Sequence, residues 1–364
     1  MYRTEKKRRE KIQNDIKDSF GKPGSKRISS ERLSRIREIV SADISGNDGY
    51  LDDITWNDLD MDRVYSMLNT CRSSSGDEML YEILRNTGVS KDDLDSLESS
   101  VCLFSNDRDL CLKARLILNE LGTSVKYPLR DYLDYLTGDH KDIKRKYGGI
   151  IADFLLIPAL VLIFIKPVIG AAVVTVLLLY QVFSYLNESA KIEKYLSGLS
   201  YIMRLADSSH KLRLLLPDGS VPGFDGIEED TDRVSSIVKK GRYVISSHNN
   251  KGSSGPFEML MTYLNMFFHF DIIAFYGIIG KMRGEKERII RLIRYAGSVD
   301  SYIAIASFRE YLRGGLGYCI PEFADGEMII NEGYHPLIKD PIVNSIKSDR
   351  GILLTGSNAS GKST

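Results

Sequence analysis

The apolar residues change their spacing several times along the chain, and each spacing predicts a different kind of element. Residues 1–50 are mostly polar and are broken by Gly21, Pro23-Gly24, Gly46 and Gly49, which predicts a tail and linker. From Leu51 to Tyr147 the apolar positions recur at three and four. Leu59, Met61, Val64, Met67 and Leu68 form one helical stripe, and Met79, Leu80, Ile83 and Leu84 form the next. Between them lies the break Ser73-Ser74-Ser75-Gly76-Asp77, where Ser75 or Asp77 is placed to cap a helix. Leu110 to Leu121 predicts another helix, stopped at Gly122.

The period vanishes at Ile150. Two all-apolar runs, IIADFLLIPALVLIFI and VIGAAVVTVLLLYQVFSYL, flank Lys166-Pro167 and carry only Asp153 as an interior charge. A helix then resumes from Asn187 to about Leu216. Pro217 to Gly226 is a loop, Val234 to Ser246 fits either helix or strand, and Asn249 to Pro256 is a turn. Two long helices follow, about Phe257 to Gly280 and Glu285 to Leu312. The second keeps one stripe, Ile289, Leu292, Ile293, Ala296, Val299, Ile303 and Ala306, whose ordinary meaning is a core face. After Tyr318 the apolar pieces shorten to Met328-Ile329-Ile330, Leu337-Ile338, Ile342-Val343 and Ile352-Leu353-Leu354, which read as the first strands of an α/β domain.

Each run between Ile150 and Leu186 would rise roughly 24–28 Å as a helix, close to a ~30 Å hydrocarbon core. The residues predict a transmembrane helical hairpin turning at Lys166-Pro167. The alternatives are two core helices apolar on every face, or a re-entrant hairpin. Lys141, Lys144, Arg145 and Lys146 precede the hairpin and Lys191 and Lys194 follow it, so the positive-inside tendency puts both flanks in the cytoplasm. Asp153 is expected at the interface, paired with a flanking lysine. Met259 to Gly280, interrupted by Asn265, His269 and Asp271, is a weaker membrane candidate and is expected instead to be a buried soluble helix, with His269 a satisfied core or lining residue.

Composition adds limits. Lys and Arg total 49 and Asp and Glu total 49, so no global field selects nucleic acid or membrane. The first forty residues are locally basic, which suits either a solvated tail or one that meets phosphate or lipid headgroups. Cys71, Cys102, Cys111 and Cys319 are scattered without metal spacing and are read as reduced, buried thiols.

The chemistry concentrates at the C-terminus. Gly356-Ser357-Asn358-Ala359-Ser360-Gly361-Lys362-Ser363 fits G-x-x-x-x-G-K-[ST], the phosphate-binding loop, behind the run Ile352 to Leu354. Its glycines let backbone N–H groups surround phosphate oxygens, Lys362 reaches the terminal phosphates, and Ser363 is placed to hold Mg²⁺. ATP and Mg²⁺ are the expected ligands. The helix whose N-terminus completes such a site would begin at Thr364, and the chain is expected to break off within this domain. No ATP hydrolysis and only weak nucleotide binding are therefore expected of it alone.

The setting of the loop resembles one family. Asn331 to Ile338, with His335-Pro336-Leu337, followed about twenty residues later by T-G-S-N-A-S-G-K-S-T, is similar to the paired motifs of the MutS (DNA mismatch repair) ATPases, and Asn358 is a mark of that family. Val299 to Ala304 and Pro321-Glu322-Phe323 resemble the family's last core helix and its entry into the ATPase domain. Asp58 to Arg85 resembles the start of its helical core. The resemblance covers Leu51 to Tyr147 and Asn187 to Thr364 and is strongest at the end.

It implies that Gly356, Asn358, Gly361, Lys362 and Ser363 contact phosphates, that His335 joins the wall near the base, and that Ile342 stands where many relatives stack an aromatic on adenine. It also implies duplex DNA as a partner and a homodimer through the complete ATPase domains. The departures are as plain. The family's Phe-x-Glu wedge occurs here only as Phe308-Arg309-Glu310 in a late helix, and about fifty residues precede the core, too few for a mismatch-reading domain. Lys281, Arg283, Lys286, Arg288, Arg291 and Arg294 form one basic helical region, read either as an ion-paired face or as a phosphate-tracking stripe.

The expected protein is thus mainly α. Residues 1–50 are a basic tail, 51–149 the first part of a MutS-like core, and 150–186 a membrane hairpin. Residues 187–317 are a lever and second core part, and 318–364 begin a P-loop domain. The competing expectation is a membrane-anchored helical scaffold without catalysis.

Overall fold

The computed structural model describes the chain apart from residues 1, 25–28, 45–48, 124–132, 134–135, 137–146, 240, 250–254, 324–325 and 354–364. Helix dominates, with a single two-stranded sheet among the described residues. The organising element is α14 (Lys286–Arg313), whose predicted stripe from Ile289 to Ala306 is buried throughout. Against it pack α5 (Ser74–Arg85), α6 (Lys91–Asn106) and α7 (Arg108–Leu121). The predicted stop of α7 holds, since Gly122 takes φ 69°. The cap of α5 is neither expected residue: Ser73 accepts from Gly76 N–H.

The N-terminal segment departs from the expected tail. Its glycines separate two helices, α1 (Tyr2–Asp18) and α2 (Ser30–Ile44). Leu33, Ile36 and Val40 share one face of α2, and the last two are buried in a small cluster with Trp56 of α3 (Asp53–Asp58) and Tyr65 and Leu68 of α4 (Met61–Leu68). Ile16 of α1 is buried, and its carbonyl accepts from the Arg115 guanidinium of α7.

The apolar hairpin consists of α8 (Tyr147–Ile165) and α9 (Pro167–Leu215), turned at Lys166 with Pro167 in the first helical turn. Gly170 permits the close approach: a Cβ there would fall 2.6 Å from Ile163 Cα. Neither Gly170 nor Gly198 breaks the helix between Val168 and Leu215, so α9 does not end at the hairpin but continues as one helix of 49 residues into the core. Its segment Pro167–Glu193 is long and apolar enough to cross a membrane, and α8 contributes the shorter apolar stretch Phe154–Ile165. The ambiguous stretch after Pro217 is helical, as α10 (Ile227–Val238) and α11 (Gly241–Asn249). The predicted single helix after it is two, α12 (Pro256–Phe268) and α13 (Phe270–Met282), bent by 66° at His269.

The C-terminal part holds β1 (Met328–Gly333) and β2 (Asn344–Ser348), antiparallel, with Ile330 opposite Ile346. Leu337-Ile338, Ile342-Val343 and Ile352-Leu353 are not strands.

Candidate functional site

The turn Asn69 to Asp77 binds the early and late parts of the chain together. Asp300, buried on α14, accepts from Ser73 N–H at 2.8 Å, from Ser73 Oγ at 2.6 Å and from Arg72 N–H at 3.0 Å. Asp77 is also buried; its carboxylate accepts from Asn69 Nδ2 and from the Arg32 guanidinium, each at 3.0 Å. From α9, Tyr201 places its hydroxyl 2.9 Å from Ser75 Oγ, and burial pushes that phenol well above its usual range. Small residues let the backbones meet: a Cβ on Gly76 would strike the Asp300 carboxylate, and one on Gly297 would fall 2.6 Å from the Ser75 carbonyl oxygen. Sequence periodicity locates the helices on either side but not this buried carboxylate, because Asp300 looks like any polar residue between core positions.

Of the expected nucleotide residues, Gly356, Ser357, Asn358, Ala359, Ser360, Gly361, Lys362, Ser363 and Thr364 lie outside the described residues. His335 and Ile342 lie in the connection between β1 and β2. His335 is half-buried, and its Nδ1 accepts from Leu337 N–H at 3.3 Å. Ile342 is 85% exposed. Tyr334 donates to the Gly317 carbonyl, which ties β1 to the end of α14. Among the described residues no group of His, Cys, Asp and Glu is placed to hold a metal ion.

The basic region of α14 is largely spent within the molecule. Arg288 donates to Asp230 at 3.0 Å, to Glu285 at 2.8 Å and to Glu229 at 3.1 Å; Arg291 pairs with Asp230 at 3.0 Å and Arg294 with Glu82 at 3.1 Å. Burial works against the Glu285 carboxylate, but hydrogen bonds from Arg233 and Arg288 outweigh it and hold the carboxyl below its ordinary range. Arg288 and Arg291 clamp α10 to α14, and Arg294 ties α14 to α5.

Cys71 and Cys111 are buried, and burial pushes the Cys111 thiol up to about 11. Cys102 is half-buried and Cys319 is exposed, against the expectation that all four are buried.

The hairpin is apolar outward. Only 17% of the most apolar stretch of α9 is buried, while Phe154, Phe164, Val168, Val176, Leu179 and Phe183 are exposed. A core helix of a soluble domain would be covered, so the geometry disfavours that alternative. The side chain of Asp153 and residues 141–146 lie outside the description, so their expected pairing and charge bias rest on the sequence. His269 is buried, and its ring packs edge-on against Tyr185 of α9.

No protein-family model, no curated protein and no solved structure matches the chain.

Proposed function

We propose that the chain is a membrane-anchored, MutS-like ATP-binding protein. A helical core is held at the bilayer by α8 and α9, with both flanks in the cytoplasm, and the loop Gly356–Ser363 is its nucleotide handle. One observation carries the reading. Asp58–Arg85 and Val299–Ala304, two stretches that resemble parts of the MutS core, are joined through Ser73 and Asp300 across 227 residues of sequence. A core left for a long helical excursion and then re-entered is the organisation which that resemblance implies. Lys362 and the loop N–H groups would take the ATP phosphates, Ser363 the Mg²⁺, and His335 the approach to the base. Pairing of two complete ATPase domains would give the homodimer.

Titration of the chain with a ribose-labelled fluorescent ATP tests the nucleotide half. A weak, Mg²⁺-dependent signal that Lys362→Ala abolishes is expected. Identical curves for the two proteins would end the ATP assignment. Flotation with phospholipid vesicles tests the anchor, and a chain that stays at the bottom of the gradient would remove it.

The ion pairs of Arg288, Arg291 and Arg294 favour a second reading for DNA, in which this face is structural and the protein a scaffold. Duplex-DNA affinity measured against salt separates the two. A DNA-binding face gives a steep fall with salt, and a scaffold gives no affinity beyond that of a neutral control protein.

A further inference from the structure

We infer that α12 and the first turn of α13 form a third membrane-inserted element, a re-entrant segment that faces lipid beside the hairpin. The inference rests on the membrane reading of α8 and α9 and extends it to residues whose sequence predicts a buried soluble helix.

The polarity of the segment is inverted. Its buried side chains include Asn265, His269 and Asp271, whereas Met259, Leu260, Tyr263, Phe268, Phe270 and Ile273 are exposed. Met259 and Leu260 are each 54% exposed, more than a core-facing stripe allows. The same inversion marks the adjoining part of α9, where Gln181 and Tyr185 are buried and Leu179 and Phe183 are exposed. Polar groups facing inward and apolar groups facing outward is the arrangement of helices solvated by hydrocarbon.

Continuity points to lipid as the occupant. α12 packs against both α8 and α9, so its outer face prolongs the apolar surface of the hairpin. The bend is pinned on α9: the Tyr185 hydroxyl donates to Asp271 at 2.9 Å, and Tyr185 meets the His269 ring edge-on. His269 takes φ 53°, which lets α12 turn away from α13 without a glycine. From there α13 runs toward the core, since Tyr276 donates to Glu188, three residues further along α9. Tyr185 lies only about 12 Å of helix rise before Glu193, and the 13 residues of α12 rise about 20 Å, too little to cross a ~30 Å core. A segment that enters and leaves on one side fits these lengths, with Tyr263 suited to the headgroup boundary.

Tryptophan placed on this face tests it in the full chain. The chain has one tryptophan, Trp56, buried in the core and so a constant background. Leu260→Trp and Tyr263→Trp report on α12, Leu179→Trp on the hairpin and Lys91→Trp on an exposed position of α6. Each variant is reconstituted into phosphatidylcholine vesicles with and without brominated acyl chains. Loss of the added emission at Leu260, Tyr263 and Leu179, but not at Lys91, is the expected result. Quenching at Leu179 with none at Leu260 and Tyr263 would overturn the re-entrant segment, pointing to a protein partner on that face, and leave the hairpin standing. No quenching at Leu179 would overturn both.

Discussion

Replacing Asp300 tests whether the core is joined as described. Asp300→Ala removes the acceptor of Ser73 N–H, Arg72 N–H and Ser73 Oγ–H, and Ser73 is fully buried. The hydroxyl can turn to another partner, but the two backbone N–H groups cannot. A buried donor left unpaired costs about 1–3 kcal/mol, so the substitution is expected to cost about 3 kcal/mol in all. With a urea slope of about 2–3 kcal/mol per molar, the unfolding midpoint should fall by about 1 M. Trp56 reports the event directly, because its cluster includes Ala304 and Phe308 of the same helix α14. The assay is urea titration in detergent micelles followed by Trp56 emission. Asp300→Asn keeps a carbonyl acceptor without the charge and should fall between the two. A midpoint for Asp300→Ala within about 0.2 M of the wild type would refute the claim that this carboxylate holds the two halves of the core, since even one unpaired buried N–H should move it further.

Further outcomes follow from neighbouring contacts. Gly297→Ala should destabilise by about 1–3 kcal/mol through overpacking against the Ser75 carbonyl, reversing the usual gain of a helical Gly→Ala change, as thermal melts would show. The Glu98 carboxyl is held below its ordinary range by hydrogen bonds from Arg309. That stability is fully present above the unfolded glutamate value of about 4.3 and is lost as pH falls through the folded value. Arg309→Met should therefore flatten the acid limb of a stability-against-pH curve. Arg288→Ala removes one of two arginine partners from each of Asp230 and Glu285, leaving Arg291 on the first and Arg233 on the second, so it should lower the melting temperature modestly while leaving duplex-DNA affinity unchanged.

What the sequence made legible was set by periodicity. The stripe of α14 runs through 28 residues with one continuous face, and the hairpin has no competing pattern, so both could be placed within a few residues. Leu33, Ile36 and Val40 carried a helical signal for α2, but the glycines around it suggested a tail, and only packing against Trp56 decides the matter. The bend at His269 had no local mark, because a left-handed residue there depends on contacts with Tyr185 from a distant helix. The two ion-pairing partners of Arg291 and Arg294, Asp230 and Glu82, lie on other helices, so charge spacing along α14 left both readings of that face open. For the nucleotide site the sequence remains the source, since the loop lies outside the described residues.

The long helix α9 carries an outward-facing apolar stretch and a buried core face in one element. Up to Leu186 its outer positions are apolar and its inner ones include Gln181 and Tyr185. From Ile192 the order reverses: Ile192, Leu199, Ile202, Leu205 and Leu212 are buried, while Lys211 and Arg213 pair at the surface with Glu120 and Asp218. The switch falls at Glu188 and Lys191, paired at 2.6 Å, where a water boundary would relieve both charges of burial. Ser197-Gly198 stands between Tyr185 and Tyr201, about 24 Å apart along the rise, yet the helix runs through it without a break. Tyr185 holds the bend between α12 and α13, and Tyr201 holds the turn that Asp300 clamps. Tilting the hairpin therefore moves one of these two contacts or bends α9 at Ser197-Gly198. The proposed membrane face and the core turn thus share one continuous helix.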